Sequence, residues 1–192
     1  AVVARLRSLG GTAEAAVSPS ASARGFLAPE HVALLRAARA ISEVTGLNPL
    51  LETVLSVLVE AVGARRGLLA VPAKGKLVAV AEATSADGQV AVKVLAANLA
   101  VNPDDLVPGC VATLDYVVRT GEPIKVDEPR SLLAVPLRKG DTLLGVVYLD
   151  NDALPGAFGA WHQELASVLA AQAAIALQNA GLVEELRSSL EM

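Results

Sequence analysis

Few side chains in this sequence could do covalent, redox or metal chemistry. Cys110 is the single cysteine, so an internal disulfide and cysteine-built zinc or iron–sulfur sites are excluded. Near a helix start it reads as a small apolar packing residue. A thiolate stabilised by the helix N-terminus, able to sense redox change, is the alternative. His31 and His162 are the only imidazoles and leave little for a metal cage. Asp104, Asp105 and Asp115 form a loose acidic set around Cys110. Their plainer role is to face the positive end of a helix dipole. No metal site is expected. No paired carboxylates stand beside a His and no glycine-rich phosphate loop occurs, so catalysis is not expected either.

The elements that hold these groups must come from an aliphatic chain. Of 192 residues, 53% are hydrophobic but only 3% aromatic, so Val, Leu and Ala must build the core of one ordinary domain. The aromatic platforms of base-stacking modules are lacking. The formal charge is −4, with 16 basic against 20 acidic residues and no basic stripe, so no nucleic-acid partner is expected. The longest apolar stretch, Leu165 to Leu177, carries Ser167 and Gln172 and is too short to span a bilayer. With no secretory leader pattern and one cysteine, the expected setting is cytoplasmic, without a membrane partner.

Residues 1–28 read as a linker or the end of a preceding segment, with Gly10, Gly11, Pro19 and a Ser/Ala run. Periodicity predicts a helix from Pro29 to Thr45, with Gly46 closing it. Asn48 and Pro49 then serve as N-cap and first residue of a second helix, ended by Gly63. Short apolar runs predict strands at 67–71, 76–84 and, more weakly patterned, 89–97. A helix from Pro108 or Gly109 to Arg119 follows, then strands at 123–126, 131–138 and 142–150. A last helix runs from Ala160 beyond Leu186. That order implies an α+β fold with a largely antiparallel sheet.

The last helix has two apolar stripes. Trp161, Leu165, Val168, Gln172, Ile175, Asn179, Leu182 and Leu186 alternate spacings of four and three, a heptad seam. Leu169, Ala173, Ala176, Ala180 and Val183 form the other. Two stripes need two partners, the sheet for one and a second helix for the other. A homodimer through the terminal helices is expected. Its candidate interface is Leu35, Ile41, Leu165, Val168, Gln172, Ile175, Asn179, Leu182 and Leu186. Residues 182–192 would begin a C-terminal coiled coil. The alternative is burial of the helix within its own domain.

Several segments, in order, resemble GAF domains of bacterial sensor histidine kinases and enhancer-dependent transcription activators. They are Gly63-Ala-Arg-Arg-Gly-Leu-Leu69, Tyr116-Val-Val-Arg-Thr-Gly-Glu-Pro123, Arg130-Ser-Leu-Leu-Ala-Val-Pro-Leu137, Leu144-Gly-Val-Val-Tyr-Leu-Asp-Asn151, Pro155-Gly-Ala-Phe158 and Gln172-Ala-Ala-Ile-Ala-Leu-Gln-Asn-Ala180. The resemblance places the domain at 29–181. It implies a GAF-like (PAS-like) antiparallel sheet of about six strands with helices on both faces. It also implies a non-catalytic sensory module that binds a small ligand, dimerises, or both, to control an output domain in the same parent chain. A purely structural dimerisation module without ligand is the alternative.

Tested against these residues, the family's cofactors fall away, and none is expected. Asn151 and Phe158 match the cyclic-nucleotide signature, but Asp152, His162 and Gln163 stand where its Lys, Asp and Glu would be. Bilin attachment would need a His directly after Cys110, where Val111 stands. What is left is an unidentified small ligand or none. Strand position offers Leu69, Val80, Cys110, Leu114, Val135 and Val147 as pocket-lining candidates. Only Asp127 to Arg130 fill the place where family members often carry a longer, lid-forming segment, so the pocket is expected to be open, shallow or absent.

Overall fold

The computed structural model describes residues 29–73, 75–96 and 101–190, with no side chains described for 29, 30 and 182–190. The expected linker at 1–28, and the side chains of Leu182 and Leu186, therefore lie outside the described residues. Eleven elements follow one another: α1 (Pro29–Glu43), α2 (Leu47–Val62), β1 (Arg66–Ala73), β2 (Lys76–Ala86), β3 (Gln89–Val94), α3 (Pro103–Leu106), α4 (Cys110–Thr120), β4 (Ile124–Val126), β5 (Ser131–Lys139), β6 (Thr142–Asn151) and α5 (Ala160–Leu190). The fold is α+β, with six strands ordered β3-β2-β1-β6-β5-β4 and every neighbouring pair antiparallel.

The layers follow from which faces are apolar. α2 and α5 pack on one face of the sheet, α1 rides on α2 and α5, and α4 covers the other face. A large aliphatic core lies under α2 and α5, and a smaller one under α4. Glycine sets how closely the layers approach. A Cβ on Gly67 would lie 2.6 Å from Val59 Cγ2, so its absence seats α2 on β1. A Cβ on Gly145 would lie 2.8 Å from the Ala70 carbonyl, so this glycine serves close packing of β6 on β1.

Helix ends depart from expectation in places. Gly63 and Gly121 close α2 and α4 in the left-handed conformation, with φ of 68° and 69°. Gly46 does not cap α1, which stops at Glu43. It opens α2 instead, its carbonyl accepting from Leu50 N at 3.2 Å. Asn48 and Pro49 thus sit inside the first turn, where proline's lack of an N–H breaks no helical hydrogen bond. The short helix α3 is additional, begun by Asn102, whose side chain accepts from Asp104 N.

α5 meets two partners within its own chain. Leu169 and Ala173, with Ala166, Ala170 and Ala174, are buried toward the sheet and α2. His31 lies edge-on to Trp161, and Gln172 Nε2 donates to Ser42 Oγ at 2.7 Å, so α1 runs parallel to α5. These contacts correct part of the expected dimer interface. Ile41 and Leu165 lie in the chain's own core, and Gln172 is bonded to α1. A heptad seam specifies helix pairing without specifying whose helix is the partner, and here its first level is taken by α1. Trp161, Val168 and Ile175 remain 39%, 47% and 42% exposed, Leu35 on α1 is 57% exposed, and Asn179 is exposed too.

Candidate functional site

The face beneath α4 begins with a carboxylate. Asp104, in α3, accepts from Val111 N at 3.0 Å and so satisfies a free N–H in the first turn of α4. One turn holds Cys110 and the next two hold Leu114 and Val117, all buried against the sheet. Below them lie Leu68, Ala70, Ala79, Ala134, Val146 and Tyr148. The three alanines let the helix settle low, and side chains fill the space between α4 and the sheet. Burial, and then the Asp104 carboxylate, push the Cys110 thiol up to about 12. Asp104 occupies the helix end that could have stabilised a thiolate, so its charge opposes ionisation of the thiol.

One end of this face is polar. Asp150 is fully buried opposite Arg66 in the β1–β6 ladder. Arg66 grips it with two bonds, Nε to Oδ1 at 2.9 Å and Nη2 to Oδ2 at 2.7 Å. The Tyr148 hydroxyl donates to Oδ2 at 3.4 Å, and Arg130 Nη1 stands 3.8 Å from the same oxygen. Burial, and next the Asp150 charge, hold the Tyr148 phenol well above its usual range. The group is a braced ion pair that ties the strands together, with Arg130 at its solvent side. The other end opens into a cleft of about 440 Å³ between the β1–β2 hairpin and α4, lined by Lys76 and Asp115 together with Leu77, Val101 and Val111.

Of the six pocket candidates, only Cys110 and Leu114 lie beneath α4. Leu69, Val135 and Val147 face the opposite way, into the core under α2 and α5, and Val80 packs against that same core. The physical reason is parity. These strands are apolar on both faces, so alternation gives the period but not which set faces which helices, and a one-residue error flips all of them. An irregularity adds to this: Leu69 pairs with Ala81 and Ala70 with Ala79, leaving Val80 as the extra residue. The residues sequence reasoning missed are Arg66, Arg130, Tyr148 and Asp150. A Tyr and an Asp two apart in an apolar strand were the available signal. Asp150 belongs to the ladder, at the end of the expected strand. Asn151 makes the turn, its Oδ1 accepting from Ala153 N and Leu154 N.

The family model described as the GAF domain matches residues 46–177. The chain belongs to the GAF family. Solved GAF domains with similar folds include that of the Acinetobacter phosphoenolpyruvate-protein phosphotransferase. It is 16% identical with a TM-score of 0.58, covering 80% of this chain and 95% of that one. The GAF domain of the potassium sensor histidine kinase KdpD from Escherichia coli is 17% identical with a TM-score of 0.52, covering 83% and 99%. A comparison with curated proteins returns no match. GAF domains are generally regulatory, non-catalytic modules.

The two residues that match the cyclic-nucleotide signature are engaged elsewhere in this GAF domain. Asn151 bonds the turn after β6, and Phe158 is buried in the core under α5, edge-on to His162. His162 Nδ1 accepts from Gly159 N at 2.9 Å, at the start of α5. Despite the short Asp127–Arg130 segment the residues beneath α4 are buried, and this face opens at its edge, by Lys76 and Asp115. Among the described residues no helix is long and apolar enough to cross a membrane.

Proposed function

We propose that this GAF domain is a non-catalytic regulatory module of a cytoplasmic bacterial signalling protein, a histidine kinase or transcription regulator. It works by pairing with a second copy through α1 and α5, so that α5 carries the state of the pair to an output domain of the same parent chain. The carrying observation is the division of α5. One side is seated on the sheet and another on α1, while Trp161, Val168 and Ile175 repeat every seven residues on the open side, with Leu35 nearby on α1. α5 continues to Leu190, beyond the last sheet-packed residues. The filled face beneath α4 favours pairing over ligand binding there. The second reading, a small ligand at the cleft between the β1–β2 hairpin and α4, rests on the opening by Lys76 and Asp115.

A two-fold parallel pair brings identical residues together. In a Cys110→Ala background, Ile175→Cys is expected to form an intermolecular disulfide under mild oxidation, while the solvent-facing Ala112→Cys does not. Equal crosslinking at both positions, or none at 175, contradicts pairing along α5.

A further inference from the structure

Past the end of α1 the helix layer opens. Between the first turns of α2 and the last described turns of α5, a cleft of about 390 Å³ descends to the sheet. Leu51, Val71, Val80, Leu144, Leu177 and Gln178 are among its lining residues, and none of the described residues lining it is charged. The cleft lies on the sheet face opposite α4. Val80, the extra residue in the β1–β2 pairing, is turned to this side and helps form the floor. Among the described lining residues the one polar side chain is the Gln178 amide, and its oxygen is unsatisfied. Gln178 Oε1 is shut off from solvent and has no hydrogen-bond partner among the described residues. Such an atom carries a desolvation cost that a suitable donor would remove. The terminal torsion of a glutamine is soft, so a rotation would turn the oxygen toward the cleft.

We infer that this cleft binds a small, neutral, mainly apolar molecule carrying one hydrogen-bond donor, such as a hydroxyl, which pairs with Gln178. The volume falls in the range of small-molecule sites, and one polar group in an apolar lining fixes orientation without calling for charge. The ligand would sit between α2 and α5 where α5 leaves the sheet. The inference does not rest on the pairing of two copies.

The test is methyl NMR of the full chain titrated with 4-ethylphenol and, separately, ethylbenzene. Saturable shifts are expected at the methyls of Leu51, Val71, Val80, Leu144 and Leu177, with those of Leu68, Leu114 and Val146 unmoved. Gln178→Leu is expected to lower the ratio of 4-ethylphenol to ethylbenzene affinity about fivefold, the worth of one neutral hydrogen bond. Leu177→Trp, which fills the cleft, should abolish both titrations. Absence of saturation in the wild type, shifts centred on the α4 face, or an unchanged affinity ratio in Gln178→Leu would overturn the inference.

Discussion

Cys110 shows how far a residue's chemistry depends on its neighbours. A thiol at a helix start is ordinarily activated, but here it is buried beside Asp104, and its pKa rises from 9.0 to about 12. Alkylation by iodoacetamide at pH 8 is expected to run at least about a hundredfold slower in the folded chain than in urea. Equal rates would contradict the placement. The same shift sets a pH dependence. Between pH 9 and 12 the unfolded thiol ionises while the folded one stays protonated, so the folded state binds more protons and stability falls as pH rises. Below pH 9 this contribution is fully present. Cys110→Ala should therefore lose less stability than wild type between pH 9 and 11 in urea titrations. The sequence shows that Cys110 lies near a helix start. It does not show Asp104 turning back from a separate short helix to bond Val111 N, because that depends on tertiary placement.

At the level of elements, glycine and periodicity carry most of the legible information. The strands and the four longer helices are readable from apolar runs and from Gly63 and Gly121, because helix period and left-handed caps are local properties. What a strand faces is not local. Leu69, Val135 and Val147 were legible as buried, but their side of the sheet was not, and the α4 face is made instead by Leu68, Ala134 and Val146. A glycine inside an apolar strand, such as Gly145, marks a point of close approach, and the structure supplies what approaches, the Ala70 carbonyl of the paired strand. A backbone oxygen held in a ladder cannot step aside. Gly145→Ala is therefore expected to destabilise the fold by about 1–3 kcal/mol, the usual cost of overpacking. Urea denaturation checks it, and an unchanged midpoint would show that β1 and β6 separate more easily than their packing implies.

The whole molecule is an antiparallel sheet with one thin cover and one thick one. α4, with Val107 and the segment leading into it, closes the smaller core, while α2, α5 and then α1 are stacked over the larger. This asymmetry accounts for the surplus of apolar side chains: the thick side needs them for two helix layers and still leaves Leu35, Trp161, Val168 and Ile175 uncovered. Family membership was legible from several motifs in order, since together they mark turns and strand ends the fold requires. The inner and outer faces of the last helix could be separated only once α1 was placed, because both stripes are apolar and both read as interfaces. The central claim is that the outer stripe pairs two copies. Sedimentation equilibrium of the full chain, wild type against Val168→Glu/Ile175→Glu, tests it most directly. The expected result is a dimer for the wild type and a monomer with an unchanged far-UV spectrum for the variant, since both positions are about half exposed in the single chain. A monomeric wild type, or a variant that still dimerises, would contradict it.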